Sequence, residues 1–134
     1  MSVFIDTSAF VAMQVAEDEN HQPAAKVWKR LADSNEQLVT SNYIVVETCA
    51  LLQRRAGMSA VHTYLRDILP IVLVEWVDLS LHMEGIAGLF DIGRRGPNVV
   101  DCVSFAIMRK LAMTDAFTFD RHFGDQGFRL LKSS

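Results

Sequence analysis

The chain has 134 residues, half of them hydrophobic, so it is long enough to bury the core of one domain without disulfides or structural metal ions. Its formal net charge of −3 argues against a protein that holds nucleic acid through overall positive charge, because non-specific affinity depends on the number of phosphates neutralised. No signal peptide or membrane-spanning stretch is evident, and the two cysteines lack CxxC spacing, which predicts reduced core thiols in a cytoplasmic protein.

The first half of the sequence alternates short apolar runs with amphipathic segments. A buried strand is predicted at residues 2–6, and a helix at 7–19 follows directly after an Asp-Thr-Ser run suited to a helix N-terminus. A second helix is predicted at 23–34, where proline occupies the first turn. A strand at 37–41 then leads into a strong helix at 41–57, which ends at a glycine.

The next segments continue the alternation. A helix is predicted at 58–69, ended by a proline, and the β-branched run at 71–77 predicts a buried strand. Helical spacing returns at 80–94, and glycine, proline and asparagine predict a loop at 93–98. The helix predicted at 99–112 is apolar nearly all round, so we expect it in the middle of the domain.

The C-terminal segment completes the predicted sheet, with a strand at 115–120, a short connection at 121–126 and a last strand at 128–131. Repeats, low-complexity tracts and linkers are absent from the sequence, so residues 1–134 are predicted to form a single domain. Strands that alternate with helices through short connections predict an α/β fold with three layers, α/β/α, around a mostly parallel sheet. In such sheets, sites lie at the carboxyl ends of the strands.

Four acidic residues are candidates for one site at that edge. Asp6 ends the first strand and Asp120 ends the strand at 115–120, although each is also suited to cap the helix or turn that follows. Glu47 lies on the apolar stripe of its helix and should face inward, where it needs a metal or an arginine, since burying an unpaired charge is costly. Asp101 opens its helix, where the helix dipole also favours an acid.

Four carboxylates brought together would repel one another, which raises their pKa values and destabilises the fold unless a cation lies among them. Mg²⁺ and Mn²⁺ prefer oxygen ligands, and carboxylates with open water positions suit the hydrolysis of phosphate esters. The four histidines show no HExxH or paired spacing, so zinc hydrolysis is not indicated. They are His21, His62, His82 and His122.

Four fragments of the sequence occur in a familiar order over nearly the whole chain: FIDTSAF, YIVVETCALLQRR, VVDCVSFAIM and FTFDRHFGDQGFRLL. With them the chain resembles the PIN-domain family, and within it the toxin ribonucleases of bacterial VapBC toxin/antitoxin pairs. The resemblance implies a Mg²⁺- or Mn²⁺-dependent endoribonuclease whose ligands are Asp6, Glu47, Asp101 and Asp120. It also implies an RNA substrate, a homodimer, and a cognate antitoxin whose C-terminal segment lies across the active-site groove.

Further residues are candidates for minor roles at that site. The resemblance implies accessory roles for Thr7 and Ser8. Ser104 lies one turn after Asp101 and is placed to hydrogen-bond a metal-bound water or a carboxylate, although a buried serine more commonly bonds its own helix backbone. Contacts to RNA phosphates are predicted at four basic residues, Arg94, Arg95, Arg121 and His122.

Three other functions remain open at this stage. A haloacid-dehalogenase phosphatase needs a second aspartate where this chain has Ser8. A phospho-receiver domain would use Asp78 as acceptor and Lys132 as partner, but it lacks the paired acids and leaves Glu47 and Asp101 unexplained. A non-enzymatic protein-binding module would use the acids only as helix caps. Metal titration and RNA cleavage separate these alternatives from the nuclease.

Overall fold

The fold is built around a sheet of five strands, each parallel to its neighbours. The computed structural model describes residues 1–93 and 96–133. The strands are β1 (Ser2–Ile5), β2 (Gln37–Ser41), β3 (Leu73–Glu75), β4 (Asp115–Phe117) and β5 (Arg129–Leu130). Their order across the sheet is β3-β2-β1-β4-β5, so the order reverses between β1 and β4. A parallel sheet opens a crevice at such a reversal.

Helices cover both faces of this sheet, which confirms the predicted α/β/α layers. They are α1 (Thr7–Gln14), α2 (His21–Ala32), α3 (Asn42–Arg55), α4 (Met58–Thr63), α5 (Leu79–Ile92), α6 (Val99–Lys110) and α7 (His122–Asp125). Because crossovers between parallel strands are right-handed, this strand order assigns α1 to α4 to one face and α5 to α7 to the other. After α4 the chain continues through a π-helical turn, Tyr64–Ile68, and a 3₁₀ turn, Leu69–Ile71.

Polar side chains begin the helices that leave the carboxyl edge of the sheet. The carboxylate of Asp6 caps α1, and the Ser41 hydroxyl caps α3 by accepting from the backbone N–H of Ile44 at 3.2 Å. Asn98 caps α6 in the same way. Each cap satisfies an N–H that lacks a partner within its helix. The edge is therefore lined with polar groups.

The predicted buried strand at 71–77 is the main error of the sequence analysis. Only Leu73–Glu75 forms a strand, and because it pairs with β2 alone, it lies at the edge of the sheet. Leu73 is 49% exposed and Trp76 is 71% exposed. The β-branched composition therefore indicated the propensity of this segment to form a strand, but not its burial. The connection predicted at 121–126 contains the short helix α7, and the helix predicted at 7–19 ends at Gln14.

Helix α6 lies in the middle of the domain, as its all-round apolar sequence predicted. Val103, Phe105, Ile107 and Met108 are buried, and Gly85 of α5 packs directly on Val103. The two cysteines are free thiols, as predicted, and Cys102 is buried on this helix. Within the described residues, no helix is both long enough and apolar enough to cross a membrane.

Candidate active site

The register between β1 and β4 brings Asp6 beside Thr118. Ile5 pairs with Phe117, and the backbone N–H of Asp6 donates to the carbonyl oxygen of Phe117 at 3.1 Å. The Asp6 carboxylate then accepts from the hydroxyls of Ser8 and Thr118, at 2.8 and 2.9 Å. It also accepts from the backbone N–H of Ser8 at 3.3 Å, as a helix cap does. Asp6 is therefore both the predicted cap and a member of a polar cluster.

The same two hydroxyls hold the segment that follows β4. The Ser8 hydroxyl accepts from the backbone N–H of Phe119 at 2.9 Å, and that of Thr118 accepts from the N–H of Asp120 at 3.0 Å. The position of Asp120 is thus tied to that of Asp6. Thr118 was not among the predicted site residues, although a hydroxyl residue two positions before a strand-terminal acid is a usable signal.

Burial raises the pKa of Asp6 above its ordinary value, although the hydrogen bonds from Ser8 and Thr118 lower it, and the nearby charge of Asp120 adds to the increase. The residue is only 4% exposed. An isolated anion in such a place is destabilising unless a cation neutralises it.

Glu47 enters the site from helix α3, and it is half-buried. Next to it, Thr48 is buried, and its hydroxyl donates to the hydroxyl of Thr7 at 3.4 Å, which ties α3 to the start of α1. Glu47 faces the same cavity as Asp6. Within the described residues it forms no ion pair, so the arginine salt bridge considered for it is not observed.

Asp101 forms a capping box with Asn98 at the start of α6. Its backbone N–H donates to the side chain of Asn98 at 2.9 Å, and its carboxylate accepts from the Asn98 N–H at 3.1 Å. Burial raises the pKa of Asp101 to about 7, and the charges of Asp6, Asp120 and Glu47 contribute to the increase. The hydrogen bond from Asn98 opposes it. The charges of the other three acids therefore lie close enough to Asp101 to affect its ionisation.

All four acids line one cavity of about 290 Å³ at the carboxyl edge of the sheet. Among the lining residues that the structure describes, Arg55 is the only basic one, and its guanidinium is already paired with Asp18 at 3.1 Å. Oxygen donors thus greatly outnumber positive charges. Hard divalent cations prefer oxygen donors of this kind.

His122 lies within this acidic cluster. Its ring Nδ1 is 2.9 Å from Oδ1 of Asp120, and its backbone N–H donates to the same oxygen, also at 2.9 Å. Three potential ligand atoms lie within 4.8 Å of one another, one each from Asp101, Asp120 and His122, and this spacing could hold a metal ion. The predicted RNA contact at His122 is therefore also a neighbour of the candidate ligands.

The family of the chain follows from its match over nearly the whole length. Residues 3–128 match the PIN domain. The chain belongs to the PIN-domain family. It is 35% identical over 127 residues to the 23S rRNA-specific endonuclease VapC20 of Mycobacterium tuberculosis, a match that covers 94% of this chain and 95% of that protein.

Two solved structures illustrate the similarity of this fold to known proteins. The crystal structure of Mycobacterium tuberculosis VapC20, a sarcin-ricin loop cleaving toxin, matches with a TM-score of 0.88 and 34% identity, over 98% of this chain and 99% of that one. The structure of DNA-bound VapBC from Salmonella typhimurium matches with a TM-score of 0.73 over 100% of this chain and 99% of that one. At 9% identity, the second match concerns the fold alone.

The structure also places the predicted accessory residues of this PIN domain. Thr7 and Ser8 line the acid-lined cavity. Ser104 does not belong to the described part of that lining, because its hydroxyl donates to the Val100 carbonyl oxygen of its own helix at 2.9 Å. Arg121 lines a neighbouring cavity. The predicted contacts at Arg94 and Arg95 lie outside the described residues.

The residues required by the phospho-receiver alternative do not meet at the site. Asp78 follows β3 at the edge of the sheet, two strands away from β1. Its carboxylate caps α5 by accepting from the backbone N–H of Leu81 at 2.9 Å. Lys132 lines the neighbouring cavity and not the described lining of the acid-lined one. A receiver-type acceptor and lysine are therefore absent beside Asp6 in the described part of the chain.

Proposed function

We propose that this chain is an endoribonuclease that hydrolyses phosphodiester bonds of RNA, with ribosomal RNA as its substrate class, and that it is the toxin of a toxin/antitoxin pair. The observation that carries the proposal is the convergence of Asp6, Glu47, Asp101 and Asp120 on one open cavity whose only described basic residue is already paired. The 35% identity to an endonuclease specific for 23S rRNA supports the substrate class.

We further propose that these four carboxylates hold a divalent cation, Mg²⁺ or Mn²⁺. The donor set fits such an ion, because it offers several oxygen atoms and too few positive charges to balance them. When bound, the metal would activate a water molecule and neutralise charge at the phosphate. The raised pKa of Asp101 supports this assignment, since a cation would favour the ionised form that burial disfavours.

Neighbouring side-chain hydroxyls and backbone N–H groups orient the proposed ligands. Ser8 and Thr118 hold Asp6, the backbone N–H of Asn98 holds Asp101, and the N–H of His122 holds Asp120. A carboxylate that accepts such hydrogen bonds keeps its direction before any ligand arrives, which is the role that supporting groups have at metal sites. Arg55 lines the same cavity, and its guanidinium is paired there with Asp18.

The test is cleavage of a hairpin RNA that carries the sarcin-ricin loop sequence, and of purified ribosomal RNA, with Mg²⁺, with Mn²⁺ and with a chelator. We expect cleavage in the presence of either metal and none with the chelator. Asp101→Asn should abolish it, whereas the matched control Asp125→Asn, which removes an exposed acid of α7, should retain it. Cleavage that persists in the chelator would exclude the metal, and a folded wild type that cleaves neither RNA would exclude the nuclease.

The proposal includes two protein partners, an antitoxin and a second copy of the chain, and a cytoplasmic location with the ribosomal substrate. Support for the second copy comes from α5, where Leu79, Met83 and Phe90 are exposed at spacings of four and seven residues. These spacings place them on one face of the helix. Exposed apolar stripes of this kind mark protein interfaces.

A further inference from the structure

A second cavity, of about 300 Å³, lies beside the acid-lined one at the carboxyl edge of the sheet. Pro23 and Val27 of α2 form one wall, and Leu130 and Leu131 form another. Phe119 lines both cavities, so the two share a wall. This second cavity is referred to below as the Phe119 pocket. A ligand whose reacting group lies among the acids can therefore extend into it.

Two basic residues, Arg121 and Lys132, line the Phe119 pocket, and both are exposed. The described part of the chain provides no hydrogen-bond or ion-pair partner for either charged group, whereas the guanidiniums of Arg55 and Arg129 are paired with aspartates. Acidic residues are missing from the described lining of the pocket. Free positive charges around an apolar cavity complement a ligand that is both anionic and partly apolar.

The Phe119 pocket is attached to the acid-lined cavity by hydrogen bonds as well as by a shared wall. The backbone N–H of Phe119 donates to the hydroxyl of Ser8, which in turn donates to Asp6. Thr118 also lines the pocket, and its hydroxyl donates to Asp6 at 2.9 Å. Phe119 further packs edge-on against Phe117, with ring centroids 6.2 Å apart. The aromatic wall is thus fixed relative to the candidate ligands.

We propose that the Phe119 pocket binds one unstacked base of the RNA substrate, next to the phosphodiester that is cleaved. The base packs against Phe119, and Arg121 and Lys132 contact the flanking phosphates. The inference rests on the proposed endoribonuclease function and adds to it a residue that selects and positions the substrate. A protein segment would need an apolar side chain flanked by acidic residues to match this lining, whereas every RNA strand carries a phosphate beside each base, so the observations favour RNA.

The first test compares kcat/KM for the hairpin RNA with the sarcin-ricin loop sequence among matched variants. Phe119→Ala should lower it roughly tenfold, which corresponds to about 1.4 kcal/mol and lies within the range for a stacked base. Phe119→Tyr, which keeps an aromatic ring, should have a kcat/KM close to that of the wild type. Arg121→Ala, an exposed change that leaves the core intact, should lower it several-fold, and more at low salt. Lys110→Ala, an exposed lysine at the far end of α6, should leave it unchanged.

The second test uses hairpins in which one nucleotide at a time lacks its base. At one position beside the cleaved bond, removal of the base should reduce cleavage by the wild type about tenfold but have little further effect on Phe119→Ala, since the two changes remove the same contact. A merely structural role of Phe119 would instead give additive losses at every position, and this result would overturn the inference.

Two other outcomes are also decisive. If both Phe119→Ala and Arg121→Ala kept the wild-type kcat/KM, the inference would be overturned and the nuclease proposal would stand. If those variants were also less sensitive to an antitoxin, the pocket would instead bind a protein segment. A folded wild type that cleaves neither the hairpin nor ribosomal RNA in Mn²⁺ would overturn the proposed function, and the inference with it.

Discussion

At the scale of single residues, the site combines two roles that the sequence analysis treated as alternatives. Asp6 caps α1 and Asp101 closes a capping box on α6, yet both line the acid-lined cavity. A helix N-terminus attracts a carboxylate through its free N–H groups, and two oxygens allow one carboxylate to serve the helix and the cavity together. The helix caps therefore place the acids before any metal is bound.

The raised pKa of Asp101 predicts how metal-free stability depends on pH. A folded-state pKa of about 7 lies above the ordinary value of 3.8, so folding takes up a proton between these values. The contribution of Asp101 to stability is fully present below about pH 4 and is lost as the pH rises to about 7. In chelator, Asp101→Asn should therefore be more stable than the wild type at pH 8, by about 1–3 kcal/mol, and similar to it near pH 4.

Denaturant unfolding at several pH values in chelator measures this effect. Asp125→Asn, which changes an exposed acid, should follow the wild type across the range. Mn²⁺ should stabilise the wild type at pH 8 but not Asp101→Asn, because the variant lacks one proposed ligand. If Asp101→Asn were clearly less stable than the wild type at pH 8 in chelator, the carboxylate would be a structural cap and not a member of a repulsive cluster.

The convergence of the acids could be predicted, because strand ends and helix faces determine where Asp6, Asp120 and Glu47 point. Three other features could not be predicted from the sequence: the contacts of Thr118, the position of the His122 ring and the pairing of Arg55. They depend on side-chain directions in the turn after β4 and at the end of α3, which follow from backbone angles and not from spacing. Sequence periodicity therefore identifies candidate ligands better than the groups that hold them.

At the scale of elements, periodicity predicted the helices and the mostly parallel sheet, but not the order of the strands or which strand lies at the edge. Residues 71–77 are as β-branched as a central strand, and the exposure of Leu73 follows only from the position of β3 beside β2 alone. The crossover from β3 to β4 then carries α5 and α6 across the other face of the sheet. The close packing of this helix pair decides how α6 presents Asp101.

Gly85 permits that packing, which leads to a prediction about α5. A Cβ at this position would lie 2.3 Å from Cγ2 of Val103 and 3.2 Å from its backbone N and Cα. The side-chain atom could move, but the backbone atoms could not, so α5 would shift outward. We expect Gly85→Ala to destabilise the fold by about 1–3 kcal/mol, as overpacked cores do. The melting temperature measures the loss.

Gly88, one turn later on the same helix, is the matched control. Its nearest neighbour would lie at 3.8 Å, an ordinary van der Waals distance, so alanine fits there. Since alanine favours a helix over glycine by up to about 1 kcal/mol, Gly88→Ala should be neutral or stabilising. If Gly85→Ala and Gly88→Ala lowered the stability equally, the glycines would be needed for the flexibility of α5 and not for its contact with α6.

At the scale of the whole molecule, several of the exposed apolar residues share one face of α5. Leu79 and Phe90 of α5 are 75% and 79% exposed. Helix α3 lies alongside, since the hydroxyl of Tyr43 hydrogen-bonds the ring of His82, and its Val46 is also exposed. Val46 and Glu47 line a common cavity, so the apolar surface at Val46 borders the acid-lined cavity, which Glu47 also lines. A second copy that covered the surface would therefore flank the site with its own chain.

This arrangement predicts a homodimer held through α5. The wild type should show twice the chain mass in light scattering coupled to size-exclusion chromatography. The double variant Leu79→Asp/Phe90→Asp should show the mass of a single chain, because it would bury like charges opposite each other across a symmetric interface. Met58→Asp, an equally drastic change at an exposed methionine of α4, should leave the dimer intact. The charged variant should keep its melting response to Mn²⁺, since its acids all lie on one chain. If the wild type remained monomeric at high concentration, the homodimer prediction would be wrong. The exposed apolar face of α5 would then be expected to bind another partner, and the antitoxin would be the first candidate to test with the same variants.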